Sequence, residues 1–316
     1  MELLLQFGLL ILGFVLLVKG ADFFVDGASS VAKMLKVPSL IIGLTIVAMG
    51  TSLPETSVSV SAALAGKNEL AIANAVGSNI FNLMIVCGVC AVLCPLTVQK
   101  STLLKEYPIS VGAAVLLLIF GLTGMLVGHL EGGILLACFA AFLVWMVMSA
   151  MKARKASASA DAEDTGKILP IWQCILYIVG GAAAIIFGGN FVVDSASAIA
   201  SAFGMSDNLI GLTIVAFGTS LPELVTSAVA AKKQEVDMAL GNVIGSNIFN
   251  ILMVLGISGA ISPMTFTTEN AVDLAVLIGF SVLVWLFCWS KQRLNRWQGG
   301  SMIALYAAYV VYICLR

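Results

Sequence analysis

The chain has 316 residues, 60% of them hydrophobic and only 10% charged, whereas an ordinary soluble domain is about 25% charged. A mean hydropathy of +1.06 makes it an integral membrane protein with many spans. A formal net charge of −1 with no basic stripe excludes a nucleic-acid partner.

From Met1 the sequence runs apolar to Val18 without a positive n-region or a small-residue cleavage site, so this segment reads as a retained first span and not a signal peptide. Hydropathy and helix breakers predict an all-α polytopic membrane protein of ten transmembrane helices. The expected spans are 3–27, 38–64, 70–94, 104–123, 130–151, 168–196, 208–231, 238–262, 272–290 and 300–315. Between the fifth and sixth, residues 152–167 are rich in Ala, Ser, Asp and Glu and read as a solvated linker. The linker divides a first five-helix repeat, 1–151, from a second, 168–316.

Basic residues set the orientation. With the N-terminus outside, the inside loops hold Lys33, Lys36, Lys100, Lys105, Lys152, Arg154, Lys155, Lys167, Lys232, Lys233, Lys291, Arg293 and Arg296, which is 13 of the 16. Lys67 and Arg316 remain outside and Lys19 lies within span one. Both termini are therefore expected outside and the linker in the cytoplasm. Five spans is an odd number, so the second half enters the membrane from the opposite side, giving two inverted five-helix repeats.

The repeats are visible in the residues. Aligned without gaps, 43–88 and 211–256 share 25 of 46 positions. One block runs from Gly43-Leu44-Thr45-Ile46-Val47-Ala48 through Gly50-Thr51-Ser52-Leu53-Pro54-Glu55 and recurs as Gly211 to Glu223, ending Gly218-Thr219-Ser220-Leu221-Pro222-Glu223. The other, Gly77-Ser78-Asn79-Ile80-Phe81-Asn82, recurs as Gly245-Ser246-Asn247-Ile248-Phe249-Asn250. A carboxylate inside an apolar span is costly, and a neighbouring proline breaks the helix and frees carbonyls. Having both, twice, at an offset of 168 residues, points to an ion site on a pseudo-symmetric transporter.

Thr51 and Glu55 are spaced to share a helix face, and the Pro54 ring is expected to turn the Ala48 and Gly50 carbonyls out of the helix ladder. Asn74, Ser78 and Asn82, like Asn242, Ser246 and Asn250, recur every four residues as a polar stripe about 12 Å long. Carboxylate, hydroxyl, amide and carbonyl oxygens are the ligands of hard cations; Ca²⁺ takes about six to eight of them at roughly 2.3–2.6 Å. Sulfur and imidazole ligands are absent from the stripes. Two ionised glutamates balance one Ca²⁺ or two Na⁺, and without cations one takes a proton, so exchange of Ca²⁺ for monovalent ions is expected.

Other polar residues read as structural. Asn79, Asn247, Ser57, Ser59 and Ser61 fit hydrogen bonds between helices, and Gly77 and Gly245 fit close helix approach. Asp26 and Asp194 correspond near span ends, as caps or interfacial groups, with gating or ion entry the alternative. Lys19 and Asp22 are spaced to pair. Cys87, Cys90 and Cys94 form a helical stripe of small packing residues, and His129, the only histidine, has no clustered partner for zinc.

The doubled pattern G-x-x-x-x-A-x-G-T-S-L-P-E followed by G-S-N-x-x-N resembles the alpha-repeats of the calcium/cation antiporter superfamily. With ten spans and a short linker, it is most similar to prokaryotic Na⁺/Ca²⁺ exchangers. The resemblance implies a secondary antiporter, not an enzyme and without cofactor, in a prokaryotic plasma (inner) membrane, exchanging Na⁺ for Ca²⁺ by alternating access. It implies that Glu55 and Glu223 bind Ca²⁺ centrally and contact Na⁺. Thr51, Ser52, Thr219 and Ser220 would supply oxygens, Ser78 and Ser246 would complete flanking Na⁺ sites, Ala48 and Ala216 would offer carbonyls, and Asn82 and Asn250 would face the centre. Spans one and six would slide across the other eight. Some members carry aspartate at the positions of Asn82 and Asn250, which leaves the ion count and any K⁺ requirement open. The linker is too short for the calcium-sensing domains of animal exchangers. H⁺/Ca²⁺ antiport on the same fold stays open, since the glutamates could carry protons. A channel would need no counter-ion, and an intramembrane enzyme would need a substrate-specific element that the sequence lacks. Beyond Ca²⁺, Na⁺ (or H⁺ or K⁺) and the bilayer, no protein partner is inferable.

Overall fold

The chain is a succession of apolar helices, with Pro38 and Pro170 each standing immediately before a helix. The computed structural model describes residues 2–66, 68–157, 168–205 and 216–315. Helix α1 (Glu2–Leu35) is unbroken. After Pro38 come α2 (Ser39–Ile42), a π-helical turn at Gly43–Val47, and α3 (Ala48–Thr51). The chain then bends by 50° into α4 (Leu53–Leu64), whose first turn contains Pro54. A proline at the first turn costs no hydrogen bond within its own helix but ends the preceding one. The next span is α5 (Asn68–Phe81), a π-helical turn Asn82–Val86 and α6 (Cys87–Leu93). Strand β1 (Leu96–Thr97) and α7 (Lys100–Leu104) lead to α8 (Glu106–Gly124), β2 (Leu126–Val127) and α9 (His129–Ser157).

The second half contains α10 (Ile171–Ala202), α11 (Ala216–Gly218), α12 (Leu221–Lys232) and α13 (Val236–Phe249). A π-helical turn at Asn250–Val254, α14 (Leu255–Ile261) and β3 (Met264–Thr265) follow, then α15 (Thr268–Lys291), β4 (Arg293–Leu294) and α16 (Arg296–Leu315).

Eight helical runs are long and apolar enough to cross a membrane, and the bent pair Ser39–Thr51 with Leu53–Leu64 makes a ninth among the described residues. Residues 208–215, expected to open the seventh span and including Gly211 of the second repeat, lie outside the described residues, as do 158–167 of the linker. Two helices outrun their expected ends: α1 continues beyond residue 27 and α10 beyond 196. Residues 152–157, expected in the linker, form the last turns of α9, because Lys, Ala and Arg favour helix.

Burial separates centre from rim. The windows Leu70–Leu93 and Val236–Ile261 are 72% and 78% buried, whereas the other long helices reach only 17–28%. The two polar stripes thus occupy the middle of the protein, away from lipid that could not satisfy them. On the rim, Ile11, Phe14, Trp172, Ile175 and Val179 of α1 and α10 are exposed to the bilayer. These two helices pack antiparallel along their length, backbone on backbone. A Cβ on Gly20 would lie 2.9 Å from the Gly181 carbonyl, and one on Gly181 2.7 Å from the Gly20 carbonyl. Such small-residue contacts hold helices together where no hydrophobic effect acts between them.

Two short antiparallel clasps join the halves. β1 pairs with β4 (Leu96 with Leu294, Thr97 with Arg293), and β2 pairs with β3 (Leu126 with Thr265, Val127 with Met264). Leu96 and Met264 are 168 positions apart, and so are Leu126 and Leu294. The clasps are therefore related by the same offset as the repeats, and they sit at opposite ends of α8.

Close approach is required where α13 crosses the second span. A Cβ on Gly245 would be 2.7 Å from the Ala48 Cβ and the Leu44 carbonyl, as expected for a packing glycine. Gly77, expected to act likewise, has no such neighbour among the described residues.

Candidate ion-binding site

The two helix breaks meet in the centre of the molecule. Glu55 and Glu223 lie in the first turns of α4 and α12, at the positive end of each helix dipole. Both side chains are 0% exposed. No lysine or arginine is buried among the described residues, so none of these neutralises them.

Each carboxylate is served from the opposite repeat. Ser52 donates to Glu223 Oε1 at 2.9 Å, and Ser220 donates to Glu55 Oε1 at 3.1 Å. Ser78 adds a 3.2 Å hydrogen bond to Glu55 Oε1 and lies 2.8 Å from the Ser220 hydroxyl. Ser246 Oγ is buried without a hydrogen-bond partner. The four-residue spacing of Thr51 and Glu55 thus misleads. The 50° bend falls between them and turns Thr51 toward the other repeat, where Asn242 Oδ1 accepts its hydroxyl at 3.1 Å.

A second correction concerns Ala48. Its carbonyl stays in the helix ladder, accepting the Ser52 N–H at 3.0 Å and the Thr51 hydroxyl at 3.4 Å, because the chain does not bend until Ser52. In the other half the Ser220 N–H bonds the Phe217 carbonyl at 3.2 Å, one residue past Ala216. The two breaks therefore differ in backbone detail.

The stripes hold the breaks in place. Asn74 Nδ2 donates to Ser59 Oγ at 3.0 Å and to the Glu55 carbonyl at 3.4 Å; Asn242 Nδ2 donates to Ser227 Oγ at 2.9 Å and to the Glu223 carbonyl at 3.5 Å. Asn79 and Asn247 donate to each other's backbone carbonyls at 3.0 and 3.3 Å, which fits the bonding between helices expected of them. Asn250 Nδ2 donates to Ser78 Oγ at 3.3 Å and Asn79 Oδ1 at 3.1 Å, which leaves its own Oδ1 without a donor. Asn82 is fully buried with both polar atoms unpaired.

The oxygens left over form a set. Glu55 Oε2, Glu223 Oε2, Asn82 Oδ1, Asn250 Oδ1 and Thr219 Oγ1 are all buried without a hydrogen-bond partner. Buried polar atoms are normally satisfied, so a group of acceptor oxygens lacking donors fits cation ligands. Asn82 and Asn250 each open a π-helical turn, a feature frequent at functional sites that the sequence pattern did not reveal.

Comparison with known proteins agrees with this geometry. The family described as sodium/calcium exchanger protein matches residues 5–148 and 174–315. The chain belongs to the sodium/calcium exchanger family. It is therefore an integral membrane protein of a family of antiporters, not of enzymes. The putative antiporter CaxA of Alkalimonas amylolytica is 40% identical over 95% of either chain. The sodium/calcium exchanger MaX1 of Methanosarcina acetivorans is 33% identical over 98% of either chain. A solved structure of the sodium-calcium exchanger NCX_Mj, soaked with zero Na⁺ and Ca²⁺, superposes with a TM-score of 0.85 at 35% identity, covering 98% of this chain and 99% of that one.

Other expected features fall at the rim of this family member. Asp22 pairs with Lys233 and not with Lys19, and Asp26 pairs with the same lysine instead of capping its helix, because the loop after α12 folds against α1. The cysteines are free, with Cys87 and Cys90 buried as packing residues. His129 bonds the Ala260 carbonyl through Nδ1 at 3.0 Å.

Proposed function

We propose that this protein exchanges Na⁺ for Ca²⁺ across the membrane by alternating access, with Glu55 and Glu223 as the shared charged ligands. One observation carries the reading: two buried carboxylates lie at the meeting helix breaks with no buried lysine or arginine among the described residues, each hydrogen-bonded by a serine from the opposite repeat. Two negative charges in that setting require cations, one divalent or two monovalent. Thr51, Thr219, Ser52, Ser220, Ser78, Ser246, Asn82 and Asn250 surround them with neutral oxygens, and the Ala48 and Ala216 carbonyls flank the breaks. Protons on two glutamates need no such ligands, whereas Na⁺ does, which favours Na⁺ over H⁺ as the counter-ion.

The paired clasps and the crossed serine–glutamate bonds support two inverted five-helix repeats and ten spans. Ion-pair and clasp partners that share one end of the molecule agree with both termini outside and the linker on the cytoplasmic side. The membrane proposed is the prokaryotic plasma (inner) membrane.

The test is ⁴⁵Ca²⁺ uptake into proteoliposomes loaded with Na⁺, K⁺ or choline, with and without a pH gradient. Uptake that needs internal Na⁺ is expected. Uptake that follows the pH gradient and ignores Na⁺ would make the protein an H⁺/Ca²⁺ antiporter and overturn the coupling assigned to it.

A further inference from the structure

The site carboxylates are wholly buried, so ions leave only if a covering element moves. On one flank the cover is the α1/α10 pair, which bears on the two breaks. A Cβ on Gly50 would meet the Phe24 ring at 2.7 Å, and one on Gly218 would meet the Val193 side chain at 2.0 Å. The backbone packing of α1 on α10 makes these helices one body.

That body is tied to the rest of the protein at one end. Asp22, Asp26 and Ser29 lie along one face of α1 at spacings of four and three. Lys233, at the end of α12, reaches between the aspartates: its Nζ is 2.6 Å from Asp22 Oδ1, 2.6 Å from Asp26 Oδ1 and 2.9 Å from the Asp22 carbonyl. Two residues on, Glu235 accepts a hydrogen bond from Ser29. Gln234 between them is left-handed, φ 65°, and its amide points instead to Cys94. Burial pulls Lys233 toward its neutral form, but the hydrogen bonds to Asp22 and Asp26 more than offset this and hold it above the ordinary lysine value, so it is charged. The loop joins α12, which carries Glu223, to α13, which carries Asn242 and Ser246.

The arrangement recurs only in part. At the matched positions, 168 residues away, Asp26 corresponds to Asp194 and Ser29 to Ser197, but Asp22 corresponds to Asn190 and Lys233 to Ala65. The lysine that reaches between the two aspartates therefore has no lysine at its own matched position.

We propose that Lys233 is a positioning residue for transport, clamping α1 through Asp22 and Asp26 so that the cover over the ion site favours closure at this end. The proposal rests on the antiporter reading for its function, but its test needs no flux. The side chains of Lys233, Asp22 and Asp26 are 27%, 39% and 48% exposed, so the pairs are screened and the bias is modest, about fivefold in the closed-to-open ratio.

The experiment uses the full chain in nanodiscs, with its seven native cysteines replaced and nitroxides at the exposed positions 35 on α1 and 93 on α6. Pulsed electron resonance gives the distance distribution. Lys233→Ala, and Asp22→Asn with Asp26→Asn, are expected to raise the long-distance population about fivefold relative to the short one. Lys233→Arg should keep the original distribution, and the charge swap Lys233→Asp with Asp26→Lys should restore much of it. Unchanged distances in both neutralising variants would overturn the proposal, as would an Arg variant that behaves like Ala. In liposomes, neutralisation should shift apparent Ca²⁺ affinity at one face relative to the other by the same factor. Absence of Ca²⁺ exchange in the unaltered protein would count against the antiporter reading alone, since the distances still decide whether the clamp exists.

Discussion

The centre and the rim of this molecule treat the internal repeat differently. At the centre, three sets of contacts come in pairs at the 168-residue offset: Ser52 to Glu223 and Ser220 to Glu55, Asn74 to Ser59 and Asn242 to Ser227, Asn79 to Asn247 and back. At the rim, Lys233 fastens α1, and the position that matches it in the first repeat holds Ala65. On the exchange mechanism proposed above, a site that serves ions arriving from either side is built alike from both sides. The preference for one side is left to residues far from the ions, where changing a charge does not disturb ligand geometry.

The largest expected effects test the mirrored centre. Glu55→Gln and Glu223→Gln keep shape and remove charge, which at a buried charged contact costs about 2–5 kcal/mol. Ca²⁺ affinity should fall at least roughly thirtyfold in each. Retained ⁴⁵Ca²⁺ uptake in a folded variant would sink the site assignment, and strongly unequal losses would break the symmetry argument.

Ser52→Ala and Ser220→Ala come next, each deleting a hydrogen bond to a charged group worth about 1.5–3 kcal/mol. The loss should be smaller for Ser220→Ala, because Ser78 still donates to Glu55. Isothermal titration with Ca²⁺ separates the two, and the reverse order would mean that Ser78 does not compensate. Asn74→Ala and Asn242→Ala each strand a buried serine hydroxyl, at about 1–3 kcal/mol of stability. Thermal unfolding in detergent should show similar decreases, and no decrease in either would remove the stripes from the support of the breaks. The smallest effect is expected from Asn250→Asp, which places an ionisable group against Asn79 Oδ1. Transport should acquire a new pH dependence with only a few-fold change in rate; an identical pH profile would put Asn250 outside the ion path.

Much of the centre was legible because buried charge is expensive. Glu55 and Glu223 stood out as carboxylates in apolar spans, and the polar stripes stood out because a period of four residues puts Asn74, Ser78 and Asn82 on one face. Spacing failed at Thr51 and Glu55, since a helix face is continuous only while the helix is, and the bend at Ser52 redirects one toward the other half. It failed again at the Ala48 carbonyl, which the helix retains up to the bend. The clasps were invisible because two-residue strands have no periodicity to read. The Lys233 pairings were invisible because their partners are more than 200 residues away in sequence.

The sequence alone therefore determined that this is a polytopic membrane protein with one carboxylate in an apolar span of each repeat, because hydropathy, repeat offset and the cost of desolvated charge are local properties of the chain. Tertiary structure alone decided which serine serves which glutamate, how the halves are clasped and where α1 is fastened. Those outcomes depend on the 50° bend and on chain crossings between segments that no local pattern relates.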